Sequence, residues 1–312
     1  VRSGLVSAEG RVSVAGWASA AGLIAAGLLT AGLLALGLLA AGLIAGRAAG
    51  LVFHGLVALQ VLLDLGAPPP PAPQACPRSA LVVLSFGQSN AANSVLPRLG
   101  RSWPANLLQY DWRRDRCLPY REPLAGSDGQ GGHPLSPLLR QLAARSSRSV
   151  LLVPFASGSS SVGDWAYGPL ARRQALVLAR LRRRQLAPAL VFWHQGESDA
   201  GPPGARGAGG RPLSRQAYGQ ALGLVVQRTR AVFPGARFGI ALVSRCRDGG
   251  PWPPIREAQR QLAAASPGAF VSADSDQVWG GFSRYDGCHF SPDGARRLSA
   301  LTLAALERLR LF

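Results

Sequence analysis

The sequence predicts an α/β fold: a parallel sheet with helices on both faces, following a long apolar N-terminal segment. Three observations carry this. Apolar runs of strand length alternate with helix-length amphipathic segments from about Ser79 to Phe312. The run Leu81-Val82-Val83-Leu84-Ser85-Phe86 ends at Gly87, as expected of a strand buried on both faces. The last helix has Ser291 as its cap and Pro292 at its first position.

Five strands are expected, at Leu81–Phe86, Ser149–Phe155, Ala189–Trp193, Phe238–Val243 and Ala269–Ser272. Helices lie between them. The helix from Leu170 to Gln185 places Leu170, Val177, Leu178 and Leu181 on one face and most of its arginines elsewhere. Its Arg182–Arg184 run is expected to be a solvated helix end that complements the dipole. Gly126–Gly132 and Gly201–Gly210 read as inserted loops, the second as a surface excursion.

Upstream, residues 12–46 carry no charge, and a five-residue pattern starting at Ala21-Gly22-Leu23-Ile24-Ala25 runs through Ala45. After Arg47, Ala48 to Leu63 is again largely apolar. About 20 residues span a bilayer as a helix, so residues 1–66 are expected to form a membrane segment of one long span or two spans. A cleaved signal peptide has a shorter apolar region, and a buried soluble helix is the competing reading. The glycines recur every five residues and so do not make a four-residue packing stripe. Arg2 and Arg11 favour a cytoplasmic N-terminus, which with one span puts the remaining chain outside; a hairpin would return it. Residues 67–78, opening with Ala67-Pro68-Pro69-Pro70-Pro71, read as a stiff linker, and 79–312 as the folded domain.

The formal charge of +18 comes entirely from arginine, since lysine is absent, as is methionine. This bias fits a GC-rich coding sequence, and the arginines form no basic arm. Nucleic-acid binding is therefore not expected, and a weak preference for acidic polymers or an anionic membrane surface is. Cys76, Cys117, Cys246 and Cys288 match no zinc spacing. Their even number suggests two disulfides, with three possible connectivities. Cys246 with Cys288 is favoured, because one follows a strand end and the other lies in a candidate active-site loop; Cys76 with Cys117 follows by elimination. The alternative is buried free thiols in a reducing compartment. Oligomeric state is not legible.

Open α/β sheets place chemistry beyond the carboxyl ends of their strands. Ser89 stands there, just after Gly87-Gln88, and a serine hydroxyl needs a base to become a nucleophile. Asp286-Gly287-Cys288-His289 offers one: an acid three residues before a histidine can hold its Nδ1–H while Nε2 faces a serine. Gln195, after the third strand, could donate to an oxyanion, and the small residues Ser157-Gly158-Ser159 could expose backbone N–H groups. His194 is a rival base. Glu197 and Asp199 could form a carboxylate pair for glycoside hydrolysis, although two residues apart on a turn need not face a common site.

Gly87-Gln88-Ser89-Asn90, Gln195-Gly196-Glu197-Ser198-Asp199 and Asp286-Gly287-Cys288-His289, in this order, resemble the SGNH hydrolase superfamily, and within it the sialate O-acetylesterase and acetylxylan esterase branch. The resemblance covers residues 79–312. It implies a flavodoxin-like three-layer α/β/α sandwich around a five-stranded sheet. Ser89 would be nucleophile, His289 general base, and Asp286 its orienter. The Ser89 and Gly158 N–H groups and the Gln195 side chain would form the oxyanion hole. Gln88, Asn90 and Glu197 would support the site, with Glu197 a competitor of Asp286 for His289. The branch has a second glycine where Ser159 stands here, and it places a glycine-rich loop such as Gly126–Gly132 near the site. The expected protein is a membrane-anchored, extracytoplasmic serine esterase acting on acetylated carbohydrate without metal or cofactor. Acyl transfer to a glycan hydroxyl and non-catalytic carbohydrate binding are the alternatives.

Overall fold

A computed structural model describes residues 72–201, 212–247 and 249–311, together with Gly55 and Leu59. The chain divides into two compact units, Val1–Gly55 and Leu56–Phe312, and the fold below belongs to the second. Apart from Gly55 and Leu59, the expected membrane segment lies outside the described residues, as does nearly all of the Gly201–Gly210 loop. No helix among the described residues is long and apolar enough to cross a membrane.

The strands are β1 (Leu81–Gly87), β2 (Leu107–Asp111), β3 (Arg116–Pro119), β4 (Val150–Ala156), β5 (Pro188–His194), β6 (Arg237–Leu242) and β7 (Ala269–Asp274). The helices are α1 (Ser136–Arg145), α2 (Val162–Ala166), α3 (Pro169–Arg183), α4 (Arg215–Val232), α5 (Pro253–Ala265) and α6 (Pro292–Arg308). One sheet contains all seven strands in the order β3-β2-β4-β1-β5-β6-β7, with every neighbouring pair parallel except β2 and β3. The expected five strands are all present, and among themselves they run second-first-third-fourth-fifth, the flavodoxin-like order.

The expected strand count of five is corrected to seven among the described residues. The added hairpin is short and polar in sequence, LLQYD and RCLP, and so shows no apolar run. Its polar groups are buried because they are bonded. The Gln109 amide donates to the Pro119 and Arg121 carbonyls and its Oε1 accepts from Ala125 N–H. Asp111 accepts from the Arg113 and Arg114 N–H groups in the turn.

The sheet's alternation builds two cores. Val82, Leu84 and Phe86 of β1 join Leu151, Val153 and Phe155 of β4 on the face covered by α2, α3, α4 and α5. Leu81, Val83, Val150 and Leu152 face α1 and α6. Under the strand ends, Phe86 packs edge-on to Trp193 and Phe238, and Trp165 packs edge-on to Phe155 and Trp193, with centroids 5.0–5.9 Å apart. Such pairs add roughly 1 kcal/mol each beyond burial, and they fix the ends of β1, β4 and β5.

Both favoured disulfides are present, Cys76–Cys117 and Cys246–Cys288. The first, with an antiparallel bridge from Gln74 to Cys117, ties the end of the linker to β3. The Arg182–Arg184 run is also tied down: Arg183 and Arg184 pair with Asp115 in the β2–β3 turn at 2.7 and 3.0 Å.

Gly87 shows why β1 must end where it does. Its φ is +141°, and a Cβ there would lie 2.1 Å from the His194 carbonyl oxygen. Gly87→Ala is therefore expected to cost on the order of 3 kcal/mol or more, read as a lowered urea midpoint.

Candidate active site

Ser89 opens a single-turn 3-10 helix, Ser89–Ala91, at the carboxyl end of β1. The turn is fixed to β5. Gln88 donates its N–H to the His194 carbonyl at 3.0 Å, and its Oε1 accepts from Gly196 and Ser198 N–H at 3.3 and 3.1 Å. Ser89 keeps a partly exposed side chain, and as the first residue of the turn its N–H has no partner within it.

His289 arrives from the other end of the chain. The segment between β7 and α6 folds back on itself through an antiparallel bridge between Arg284 and Phe290, with Gly287 at φ +76° at its tip. Asp286 Oδ1 accepts from the backbone N–H groups of Cys288 and His289 at 2.9 and 2.7 Å. Its Oδ2 lies 2.6 Å from His289 Nδ1, and His289 Nε2 lies 2.9 Å from Ser89 Oγ. An ionised carboxylate can only accept, so Nδ1 carries the proton and Nε2 presents its lone pair to the serine hydroxyl. Burial alone would raise the Asp286 carboxyl, but the His289 ring and the two backbone N–H groups hold it below the usual carboxylate range.

Three devices hold this loop. The Cys246–Cys288 disulfide and a 2.6 Å bond from Arg247 N–H to the Gly287 carbonyl pin it to the end of β6. The Cys288 carbonyl accepts from Asn90 Nδ2 at 3.0 Å and from the buried Arg284 at 2.5 Å. Arg284 also donates to the Ser275 and Val278 carbonyls, at 2.9 and 2.8 Å. Tyr285 stacks on the His289 ring and donates its hydroxyl to the Ser94 carbonyl. Arg284 and Tyr285 carry no motif, and the sequence reading missed them.

The Gln195-Gly196-Glu197-Ser198-Asp199 block sits inward of the triad-like trio. Glu197 is buried, and its Oε1 accepts from Asn90 Nδ2 at 3.0 Å. Burial raises its carboxyl. Asp199 accepts from Val162 N–H at 2.8 Å on the other side, so the two acids have different partners, and a glycosidase pair is not formed. His194, the rival base, gives its Nε2 to Ser275 Oγ at 2.8 Å, and burial pushes it down to about 3.

Two expected oxyanion donors already have partners in the structure, and for Gln195 this is a correction. Gln195 is fully buried, and its Nε2 donates to the Asp199 carboxylate at 2.5 Å and the Ser160 carbonyl at 3.1 Å. Both amide protons are thus spent inside the protein. The Gly158 N–H lies at the site's edge but donates to Asp128 Oδ2 at 3.0 Å, as does the Ser157 hydroxyl. Asp128 belongs to the Gly126–Gly132 loop, which packs against the turn after Ser89 through Asn93–Asp128, Gly131–Asn93 and Val95–Gly132 backbone bonds. That loop's expected place near the site holds, and its acid is a site residue that sequence reasoning missed.

Gln195→Ala is accordingly expected to cost about 3 kcal/mol, because it leaves a buried carboxylate short of a donor. The kcat should fall less than about tenfold. A loss of about 100-fold or more at unchanged stability would restore the oxyanion role.

No protein-family model and no curated protein matches the sequence. Among solved structures, the chain is similar to a protein from Arabidopsis thaliana, at a TM-score of 0.56 and 21% identity over 72% of this chain and 97% of that one. It is also similar to a carbohydrate acetylesterase from Xanthomonas citri, at a TM-score of 0.50 and 16% identity over 72% of this chain and 55% of that one. The chain thus spans about half the length of that esterase. Identity at this level speaks for the fold alone: a mostly parallel sheet between two helical layers.

Proposed function

We propose that this chain is a serine esterase of the SGNH type that removes O-acetyl groups from carbohydrate, anchored to a membrane by its apolar N-terminal segment with the catalytic domain outside the cytoplasm. The observation that carries the reading is the unbroken line Asp286–His289–Ser89, with contacts of 2.6 and 2.9 Å. The similar Xanthomonas citri protein, a carbohydrate acetylesterase, supports the substrate class. The two disulfides support an oxidising compartment.

In this mechanism Ser89 Oγ attacks the acetyl carbonyl carbon as its proton passes to His289 Nε2. Asp286 stabilises the imidazolium across the Nδ1–H bond. The carbonyl oxygen becomes an oxyanion that accepts from the Ser89 N–H, and from the Gly158 N–H once the Asp128 carboxylate has turned aside. Collapse breaks the bond to the sugar oxygen, which takes the proton from His289 Nε2. Water, deprotonated by the same nitrogen, then attacks the acetyl-Ser89 carbonyl, and acetate leaves as Ser89 recovers its proton.

The test is acetate release from an O-acetylated polysaccharide, with and without an added acceptor sugar. Stoichiometric acetate in both conditions supports hydrolysis. Acetylated acceptor in place of acetate would redirect the proposal to acyl transfer, and no turnover of any acetyl ester would end it.

A further inference from the structure

The Gly126–Gly132 loop sets one carboxylate at the rim of the site and leaves its backbone little freedom. Asp128 N–H donates to the Ala156 carbonyl at 3.3 Å, and the Asp128 carbonyl accepts from Asn93 N–H at 2.9 Å. On one side, Ser127 Oγ accepts from Ala156 N–H at 3.2 Å. On the other, Gly129 has φ +88°, and a Cβ there would lie 2.3 Å from the Asn93 carbonyl oxygen. Asn93 follows the Ser89–Ala91 turn, and Ala156 ends β4 just before Gly158. Asp128 is thus keyed at once to the segment that carries Ser89 and to the one that carries Gly158.

The two oxygens of this carboxylate differ. Oδ2 is taken, by the Ser157 hydroxyl and the Gly158 N–H, each at 3.0 Å. Oδ1 accepts from no donor among the described residues. The Arg113 guanidinium stands 3.8 Å from it, and both side chains are about half exposed, at 47% and 50%. The space beside Gly158 is open, since a Cβ there would meet nothing within 4 Å. A substrate at Ser89 therefore meets a fixed acceptor with one oxygen free. The other oxygen sits on an N–H that the oxyanion needs. A carboxylate left beside a developing oxyanion raises its energy, so an ester with no donor of its own displaces Oδ2 at a cost. An ester flanked by an O–H donor gives the carboxylate a replacement bond as Gly158 is released, and a hydrogen bond to a charged group is among the stronger ones.

We infer that Asp128 is a specificity-determining residue that selects acetyl esters flanked by a free hydroxyl, and so partly acetylated sugars over fully acetylated ones. The inference rests on the esterase reading above and names the substrate class within it. The full chain is assayed on a trans-vicinal cyclohexanediol monoacetate and on the methyl ether of the same ester, which differ only in the donor. Fluorophosphonate labelling of Ser89 is followed in parallel, so that loss of the selector and loss of the esterase are told apart.

The wild-type kcat/KM is expected to favour the diol monoacetate by about tenfold or more. Asp128→Ala should raise kcat/KM on the methyl ether by about tenfold, because the Gly158 N–H is freed and a negative charge is gone, and should bring the ratio of the two esters close to one. Asp128→Asn, which keeps the shape and removes the charge, should move the ratio the same way. A wild-type ratio near one would overturn the selector. So would equal falls on both esters in the two variants, which would make Asp128 a brace for the Gly158 loop and nothing more. Turnover of neither ester by a chain whose Ser89 still takes the fluorophosphonate would overturn the selector and leave the esterase standing. A chain that turns over neither and takes no label would end both.

Discussion

Ser89→Ala and His289→Ala are each expected to lower kcat/KM on an acetyl ester by about 10⁵-fold, and the double variant should lose little more than either single one. The reason is geometric. His289 Nε2 is the atom 2.9 Å from Ser89 Oγ, and the buried His194 gives its Nε2 to Ser275. Without the imidazole the hydroxyl has no neighbour to take its proton, and without the hydroxyl the imidazole has nothing to activate but water. The two side chains act as one unit, so their losses do not add. Neither substitution should unfold the protein. Both side chains are partly exposed, and each loses hydrogen bonds worth about 1 kcal/mol. Steady-state kinetics on purified variants, with circular dichroism to confirm the fold, checks this. Activity within about tenfold of wild type in either variant would refute the assignment.

The second large effect separates two acids. Asp286→Asn is expected to lower kcat by about 10⁴-fold, whereas Glu197→Gln should lower it by less than about tenfold. In Asp286→Asn the backbone N–H groups of Cys288 and His289 still find an acceptor in the amide oxygen, so the loop keeps its shape. The amide nitrogen then faces Nδ1 and selects the tautomer whose Nε2 carries the proton, which cannot accept from Ser89. Glu197 meets Asn90 and has no bond to His289, and an amide oxygen at its Oε1 still accepts from Asn90 Nδ2.

Glu197 shows itself in stability. Burial raises its folded-state carboxyl above the unfolded value, so the stability it contributes is fully present below the unfolded pKa and is lost as pH rises through the folded one. Denaturation against pH should show wild type losing stability relative to Glu197→Gln over that rise. The reverse slope would contradict the buried, raised carboxyl.

The pairing of Ser89 with the Asp286–His289 loop was legible in sequence because its determinants are local. Asp286 and His289 lie within one turn, Gly287 permits the tip, and Gly87 ends β1 directly before Gln88-Ser89. The five strands were legible for the same reason, each being an apolar run long enough to recognise. The β2–β3 hairpin was not, because Gln109 and Asp111 are made tolerable inside the sheet by side-chain bonds to segments up to 16 residues away. The direction of the Gln195 amide depends on Asp199 of its own block and on Ser160 and Tyr218, which come from two other parts of the chain. Asp128 reaches Gly158 across 30 residues, and no short motif records that contact. Arg284 looks like one more arginine in an arginine-rich sequence until its buried guanidinium is found on the Ser275, Val278 and Cys288 carbonyls.

The most direct measurement is covalent. A fluorophosphonate reacts with a serine only when a base draws off the hydroxyl proton, so it reports the contact between Ser89 and His289 without reference to any sugar. Peptide mass spectrometry of the treated full-length protein should find one phosphonyl group, on the peptide containing Ser89, and labelling at least about 10³-fold slower in His289→Ala. An unlabelled wild-type protein, or labelling of Ser89 at the same rate without His289, would contradict the account.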